Sequence, residues 1–216
     1  MNSELRQDIV SGDWIVVASA RSRRPEQFLK KEKRLISPIK KCPFENLQKS
    51  GHGEPILIYP KKGKWQVQIV KNKYPAFVHR KVCAEIFKNG LYKIAEGIGY
   101  HELVITREHC KNFPHLSRAV ANLVFKSFQE RYREMIKDPC LSYVSIFHNW
   151  GQKAGASIYH PHYQVIATPV IPSEISHSLE GSFSFFQKNK KCVHCEMIKW
   201  EKKIGRRIVY ENKGAV

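Results

Sequence analysis

No apolar run in the sequence is long enough to cross a bilayer, and the opening residues, MNSELRQDIVSGDW, lack the apolar core of a signal peptide. This reading excludes a membrane partner and places the protein in the cytoplasm. Acidic residues are also scarce: 19 Asp and Glu face 37 Lys and Arg, for a formal charge of +18. Such an excess calls for an anionic partner or a solvated lysine-rich surface, and clusters such as KKEKR (30–34) and KNKK (188–191) sit in apparent loops. Zinc-finger, RNP and glycine-rich KH signatures are missing, and the basic runs are not interleaved with aromatics as a single-strand groove requires. Nucleic acid is therefore disfavoured, and a phosphorylated small molecule is the better anion. Helices alternating with strands are missing too, which removes a doubly wound parallel sheet.

The 216 residues are 42% hydrophobic and 11% aromatic, enough for one well-cored domain and the start of another. DWIVVASA (13–20), EPILIYP (54–60), WQVQIV (65–70), HELVIT (101–106) and SYVSIFH (142–148) are β-branched, aromatic-rich runs bounded by Gly, Pro and Lys, and they predict strands. Between Ser117 and Lys137 the period changes. Val120, Leu123, Val124, Phe128, Tyr132, Met135 and Ile136 recur at three- and four-residue spacing behind Ser117 as N-cap, which predicts one long amphipathic helix. The expected fold is α+β: an antiparallel sheet with that helix on one face.

GASIYHPHYQVIA (155–167) places His160, His162 and Gln164 two residues apart. In an extended chain these three share a face and then run into Val165, Ile166 and Ala167, which read as a buried strand. The row can be a metal site, a nucleophile with its orienting groups, or a polar exposed face, and spacing alone favours the last. Its neighbours add information. HNWGQKAGAS (148–157) precedes it as a turn rich in Gly and Ala, where Gly151, Gly155 and Ser157 would let a phosphate approach backbone N–H groups. A neutral imidazole beside a phosphate cradle can attack phosphorus directly.

Six cysteines in an intracellular chain read as free thiols or metal ligands, and Cys83, Cys110 and Cys140 carry no further signal. Cys192 and Cys195 form a C-x2-C pair, half of a tetrahedral zinc site. Cys42 has Glu45 at the same spacing, and a zinc ligand and a small buried thiol are equally good readings of it. KKCPFENLQ (40–48) resembles KKCVHCEMI (190–198), and KNKYPAF (71–77) resembles ENKGAV (211–216), in the same order. These matches predict a duplicated architecture, with a first domain over residues 1–181 and the beginning of a second, incomplete copy over 182–216.

GASIYHPHYQ, together with SGDWIVVASARSRRP (11–25), CPFE (42–45), NKYPAF (72–77), GYHELVITREH (99–109) and NWGQKAGAS (149–157), resembles the galactose-1-phosphate uridylyltransferase family of the histidine-triad superfamily. The six motifs keep the family's order from Ser11 to about residue 172. The resemblance implies a histidine-triad-like sheet and nucleotidyl transfer between nucleotide sugars and sugar 1-phosphates. His162 matches the family's nucleophile, which attacks the α-phosphorus, releases sugar 1-phosphate and holds the nucleotidyl group until an acceptor takes it. Gln164 matches the residue that hydrogen-bonds the transferred phosphoryl group. Ser157 and Asn149 match phosphate and nucleotide contacts within the turn that contains Gly155, and Asn72 matches a nucleotide contact.

Arg21 and Arg24 match basic residues that reach phosphates, often across a dimer interface, so a homodimer is implied. His160, beside the nucleophile, matches a ligand of a structural zinc, together with Cys42, Glu45 and His109; the commoner family pattern has a second cysteine at the position of Glu45. Each of these has a plainer reading: Arg21, Arg23 and Arg24 as a solvated turn, His101 and His109 as partnered histidines at a strand end. For Arg23 and His101 the plainer reading is preferred. Relatives on the same scaffold that pass the nucleotide to inorganic phosphate, or hydrolyse it, are the alternatives. A hydrolase is the weaker of these, because hydrolase branches carry a third histidine where Gln164 stands. Since the family uses two tandem copies, these 216 residues alone are expected to have poor activity.

Overall fold

A computed structural model describes residues 4–17 and 37–215. In chain order the strands are β1 (Glu4–Gln7), β2 (Trp14–Val17), β3 (Leu57–Tyr59), β4 (Val67–Lys71), β5 (Ile86–Asn89), β6 (Tyr92–Ala95), β7 (Tyr100–Thr106), β8 (Tyr143–Phe147) and β9 (His162–Thr168). The α-helices are α1 (Arg118–Met135), α2 (Ser173–Asn189) and α3 (Val193–Ile204). The chain divides into two compact units, Glu32–Ile171 and a second made of Met1–Lys31 with Pro172–Val216.

The first unit is built on a five-stranded antiparallel sheet in the order β3-β4-β7-β9-β8. Together with α1, it makes the α+β architecture expected from the sequence. Because side chains alternate along each strand, Val67, Ile69, Val104, Tyr163, Val165 and Ala167 project to one side. There they pack against Val120, Val124 and Met135 of α1. The other side carries Val70, Leu103 and Ile105, covered by Cys42, Phe44 and Leu47 from the segment before β3. The helix starts where its cap predicts, with Ser117 Oγ accepting the Val120 N–H at 3.3 Å. Its buried stripe differs from the apolar pattern: Ser127 and Arg131 are inside, while Tyr132 and Ile136 are exposed. Arg131 is tolerated there because Nε and Nη2 each donate to a Glu102 carboxylate oxygen at 2.7 Å.

Two cysteines correct the thiol expectation. Cys83 and Cys140 form a disulfide with their Cα atoms 4.9 Å apart, although 57 residues separate them in sequence. The turn after α1 meets the segment before β5, a proximity that spacing along the chain does not encode.

In the second unit, β1 and β2 form an antiparallel hairpin, and α2 and α3 are separated by a turn at Lys190. Neither helix is among the elements expected from the sequence, and a repeat of the first copy's early strands would fall near Ile208 and Val209. Among the described residues no strand forms there, and Val209 is almost fully exposed. No helix among the described residues is long and apolar enough to cross a membrane.

Candidate functional site

In the register of β9 against β7, His162 lies opposite Ile105 and Gln164 opposite Leu103. Both therefore stand on the sheet face away from α1, as their two-residue spacing requires. They line a cavity of about 460 Å³ with Phe44, His52, Asn72, Gly155 and Ser157. Pro161, which has no N–H to donate, immediately precedes β9 and so leaves its ladder intact.

His162 is buried, with Nδ1 3.0 Å from the His160 carbonyl. A carbonyl only accepts, so Nδ1 carries the proton and Nε2 keeps the lone pair of the neutral ring. The edge of Phe44, with ring centroids 5.0 Å apart, fixes the plane of the imidazole. Gln164 Oε1 is 2.8 Å from His101 Nε2, and Ala76 N–H donates to His101 Nδ1 at 3.0 Å. His101 is thus a partnered histidine, as its plainer reading held, but its partner belongs to the site. Asn72 Nδ2 lies 2.9 Å from the same His101 nitrogen, while Asn72 Oδ1 accepts the Tyr74 N–H.

The turn into β9 takes its shape from glycines in the left-handed region, Gly151 at φ 91° and Gly155 at φ 76°. Ala154 and Ala156 N–H both donate to the Gly151 carbonyl. Gly155 and Ser157 reach the cavity wall, whereas Asn149, just after β8, does not line it. Arg21, Arg23 and Arg24 lie outside the described residues.

At the entrance of β9, Cys42, Glu45, His109 and His160 converge, with all ligand atoms within 4.8 Å of one another. His109 Nδ1 is 3.0 Å and His160 Nδ1 3.4 Å from Glu45 Oε1, and Cys42 Sγ is 3.5 Å from His160 Nδ1. The far nitrogens donate to backbone carbonyls, His160 Nε2 to Thr106 at 2.7 Å and His109 Nε2 to Ser37 at 2.8 Å. In neutral rings this directs both Nδ1 lone pairs at the Glu45 carboxylate, acceptor against acceptor, which a cation or added protons would relieve, while the Cys42 thiol can donate to His160 Nδ1 or, deprotonated, join the ligands of a cation. Burial acts against added protons, pushing the His160 imidazole below its ordinary range against the opposing pull of the Thr106 carbonyl. Burial also pushes the Cys42 thiol up. A tetrahedral zinc with bonds of about 2.0–2.3 Å separates its ligand atoms by about 3.3–3.8 Å, close to the spacing here. The donor set fits such an ion, and carbonyl-anchored histidines are its usual support.

Cys192 and Cys195 lie at the start of α3, both exposed. Backbone hydrogen bonds from Cys195 and His194 lower the Cys192 thiol, and the hydrogen bond with Cys192 raises Cys195. Among the described residues, no third potential ligand joins them.

Residues 1–172 match the family described as galactose-1-phosphate uridyl transferase, N-terminal domain. The chain belongs to this family. Among curated relatives, it is 27% identical over 197 residues to an ADP-glucose phosphorylase of Arabidopsis thaliana, a match covering 89% of this chain and 56% of the relative. It is 26% identical over 211 residues to a galactose-1-phosphate uridylyltransferase of Thermotoga maritima, covering 97% and 60%. A crystal structure of the Arabidopsis ADP-glucose phosphorylase with bound ADP-glucose shares the fold, with a TM-score of 0.70 at 24% identity over 92% of this chain and 59% of that one. The chain therefore spans less than two thirds of the length of these relatives.

Two histidines have a place at the site that the sequence does not assign: His101, for which it favours a plain partnered histidine, and His52, on which it is silent. His101 shares a strand face with Leu103 and Ile105 by alternation, yet its partner depends on β7 lying beside β9. His52, edge-on to Phe44 and lining the cavity, sits in a loop without periodicity, and its Nδ1 is buried with no hydrogen-bond partner among the described residues.

Proposed function

We propose that this chain carries a nucleotidyl-transfer site for nucleotide sugars, working through a covalent nucleotidyl-histidine on His162. The observation that carries the proposal is the Nδ1 contact to the His160 carbonyl, which reserves Nε2 as the nucleophile in a residue that lines the cavity. In the first half-reaction the Nε2 lone pair attacks the α-phosphorus and the bond to the bridging oxygen breaks. Sugar 1-phosphate leaves with that electron pair. The ring gains positive charge as the P–N bond forms, and the His160 carbonyl stabilises it through Nδ1–H. Gln164 binds the transferred phosphoryl oxygens. Gly155, Ser157 and Asn72 contact the phosphate or nucleotide from the cavity wall, and the family resemblance assigns Asn149, outside that wall, and Arg21 and Arg24, outside the described residues, as further nucleotide and phosphate contacts of a homodimer. In the second half-reaction an acceptor phosphate oxygen attacks the same phosphorus and restores the imidazole.

Cys42, Glu45, His109 and His160 hold a structural zinc, which ties the entrance of β9 to the segment before β3 and to the end of β7. The favoured acceptor is a sugar 1-phosphate. Inorganic phosphate is the second reading, supported by the similarity to a protein named ADP-glucose phosphorylase. Intact-protein mass spectrometry after incubation with UDP-glucose or ADP-glucose tests the proposal. It should show one acid-labile nucleotidyl adduct, absent in His162→Ala, and chase with galactose 1-phosphate or phosphate then identifies the acceptor. An adduct that persists in His162→Ala, or maps to His160, rejects it.

A further inference from the structure

The carboxamide of Gln164 has an accepting end and a donating end, and only the donating NH2 can hold a phosphoryl oxygen. Which end faces the cavity is settled by a backbone group on another segment. Ala76 N–H can only donate, so His101 Nδ1, at 3.0 Å, must accept and the neutral ring carries its proton on Nε2. Two side-chain amides lie beside that Nε2–H. Asn72 Oδ1 is committed to the Tyr74 N–H, so Asn72 turns its NH2 toward the ring, a donor that makes no hydrogen bond to the Nε2–H, and Gln164 Oε1 at 2.8 Å is the acceptor of that proton.

From this chain of contacts we infer that His101 is a positioning residue. It transmits the polarity of the Ala76 N–H across its ring and locks the Gln164 carboxamide with oxygen inward and NH2 toward the cavity. The same imidazole touches Asn72, so the group holding the phosphoryl contact also abuts a residue of the nucleotide side. The inference rests on the function proposed above, in which Gln164 binds the phosphoryl group of the nucleotidyl donor. Without His101 the carboxamide can turn over and present its oxygen to an anionic phosphate, a repulsive contact in place of an attractive one.

The test is a double-mutant cycle on the rate of nucleotidyl-His162 formation in the full chain, followed by rapid quench and intact mass with whichever of UDP-glucose and ADP-glucose labels the unmodified protein. His101→Phe, which keeps the ring and removes both nitrogens, should slow adduct formation by about 10- to 100-fold. In a Gln164→Ala background the same change should cost less than about threefold, because the group being positioned is gone. A purely structural histidine would give additive losses. His101→Gln, which can offer an acceptor to Ala76 and a donor to Gln164, should recover part of the rate. A His101→Phe rate within about twofold of the unmodified protein, or additive losses, overturns the assignment.

A second measurement needs neither turnover nor a folded variant. Nitrogen-15 NMR of the unmodified protein at neutral pH should find His101 protonated on Nε2 alone, and a proton on Nδ1 overturns the assignment. Absence of any adduct in the unmodified protein would count against the proposed function, and the His101 tautomer would then decide the positioning claim alone.

Discussion

Removing Arg131 should cost the first unit more stability than an ordinary core truncation. Its guanidinium makes two 2.7 Å hydrogen bonds to Glu102, and the residues are only 9% and 2% exposed. At an effective dielectric of about 20, unit charges about 4 Å apart attract by about 4 kcal/mol. Arg131→Met removes that attraction and leaves a carboxylate only 2% exposed on the helix side of the sheet, beside a cavity of about 290 Å³ whose wall includes Lys71. The expected loss is about 3–5 kcal/mol. For a unit of this size, with about 3 °C per kcal/mol, the unfolding midpoint should fall by about 9–15 °C. Scanning calorimetry of the full chain, following the transition of the sheet unit, measures it. Pairing the change with Glu102→Leu should return stability to within about 2 kcal/mol of the starting protein, since no charge is then stranded. The reasoning fails if Arg131→Met melts within about 3 °C of the parent, or if the double variant is no more stable than the single one.

Other expectations follow from particular contacts. Cys42→Ser and His109→Ala should each lose bound metal and thermal stability together, and metal analysis that finds the same zinc content in both would dismiss the cluster as a metal site. Ser117→Ala should cost about 1 kcal/mol by freeing the Val120 N–H, readable in urea titrations; no change would mean that the cap contributes nothing. Gly99→Ala would drive a Cβ into the Ala167 backbone carbonyl, which cannot move without parting β7 from β9. A loss of about 1–3 kcal/mol is expected, and a neutral result would show that the end of the β7–β9 pairing yields. His52 is held below the ordinary imidazole range, first by burial, against a Lys71 backbone hydrogen bond, with the Lys73 charge adding to the depression. Its stabilising contribution is complete above the unfolded pKa of about 6.5 and is lost as pH falls from there through the lower native value. His52→Phe should flatten that acid limb, and an unchanged limb would refute this.

The pattern of the sequence carried α1 and the strands of the five-stranded sheet because each depends on local periodicity, whereas the set of Cys42, Glu45, His109 and His160 came from the resemblance to the uridylyltransferase family and not from spacing. Ser117 and the alternation at His162 and Gln164 are signals of the local kind. The parts that stayed hidden depend on which strands become neighbours. Arg131 counts as polar in any helical pattern, and only the placement of Glu102 across the sheet makes it a buried residue. Cys83 and Cys140 meet because a turn and a loop converge, and His101 becomes part of the cavity's hydrogen-bond network because β7 lies against β9. The helices α2 and α3 were missed for another reason. Leu179, Phe183 and Phe186 in α2, and Val193, Met197, Trp200 and Ile204 in α3, do recur at three- and four-residue spacing, a helical signal that the apparent start of a second copy obscured.

Because β9 is paired on both sides, by β7 and by β8, its position constrains which insertions and deletions the chain can absorb. A single residue gained or lost within 162–168 would exchange the two faces. His162 and Gln164 would turn into the hydrocarbon packing under α1, and Tyr163 and Val165 would face the cavity. The turn at 148–160 has no ladder to keep in step. Length variation among descendants of this sequence should therefore gather in that turn and avoid the strand, even where the strand's individual residues drift.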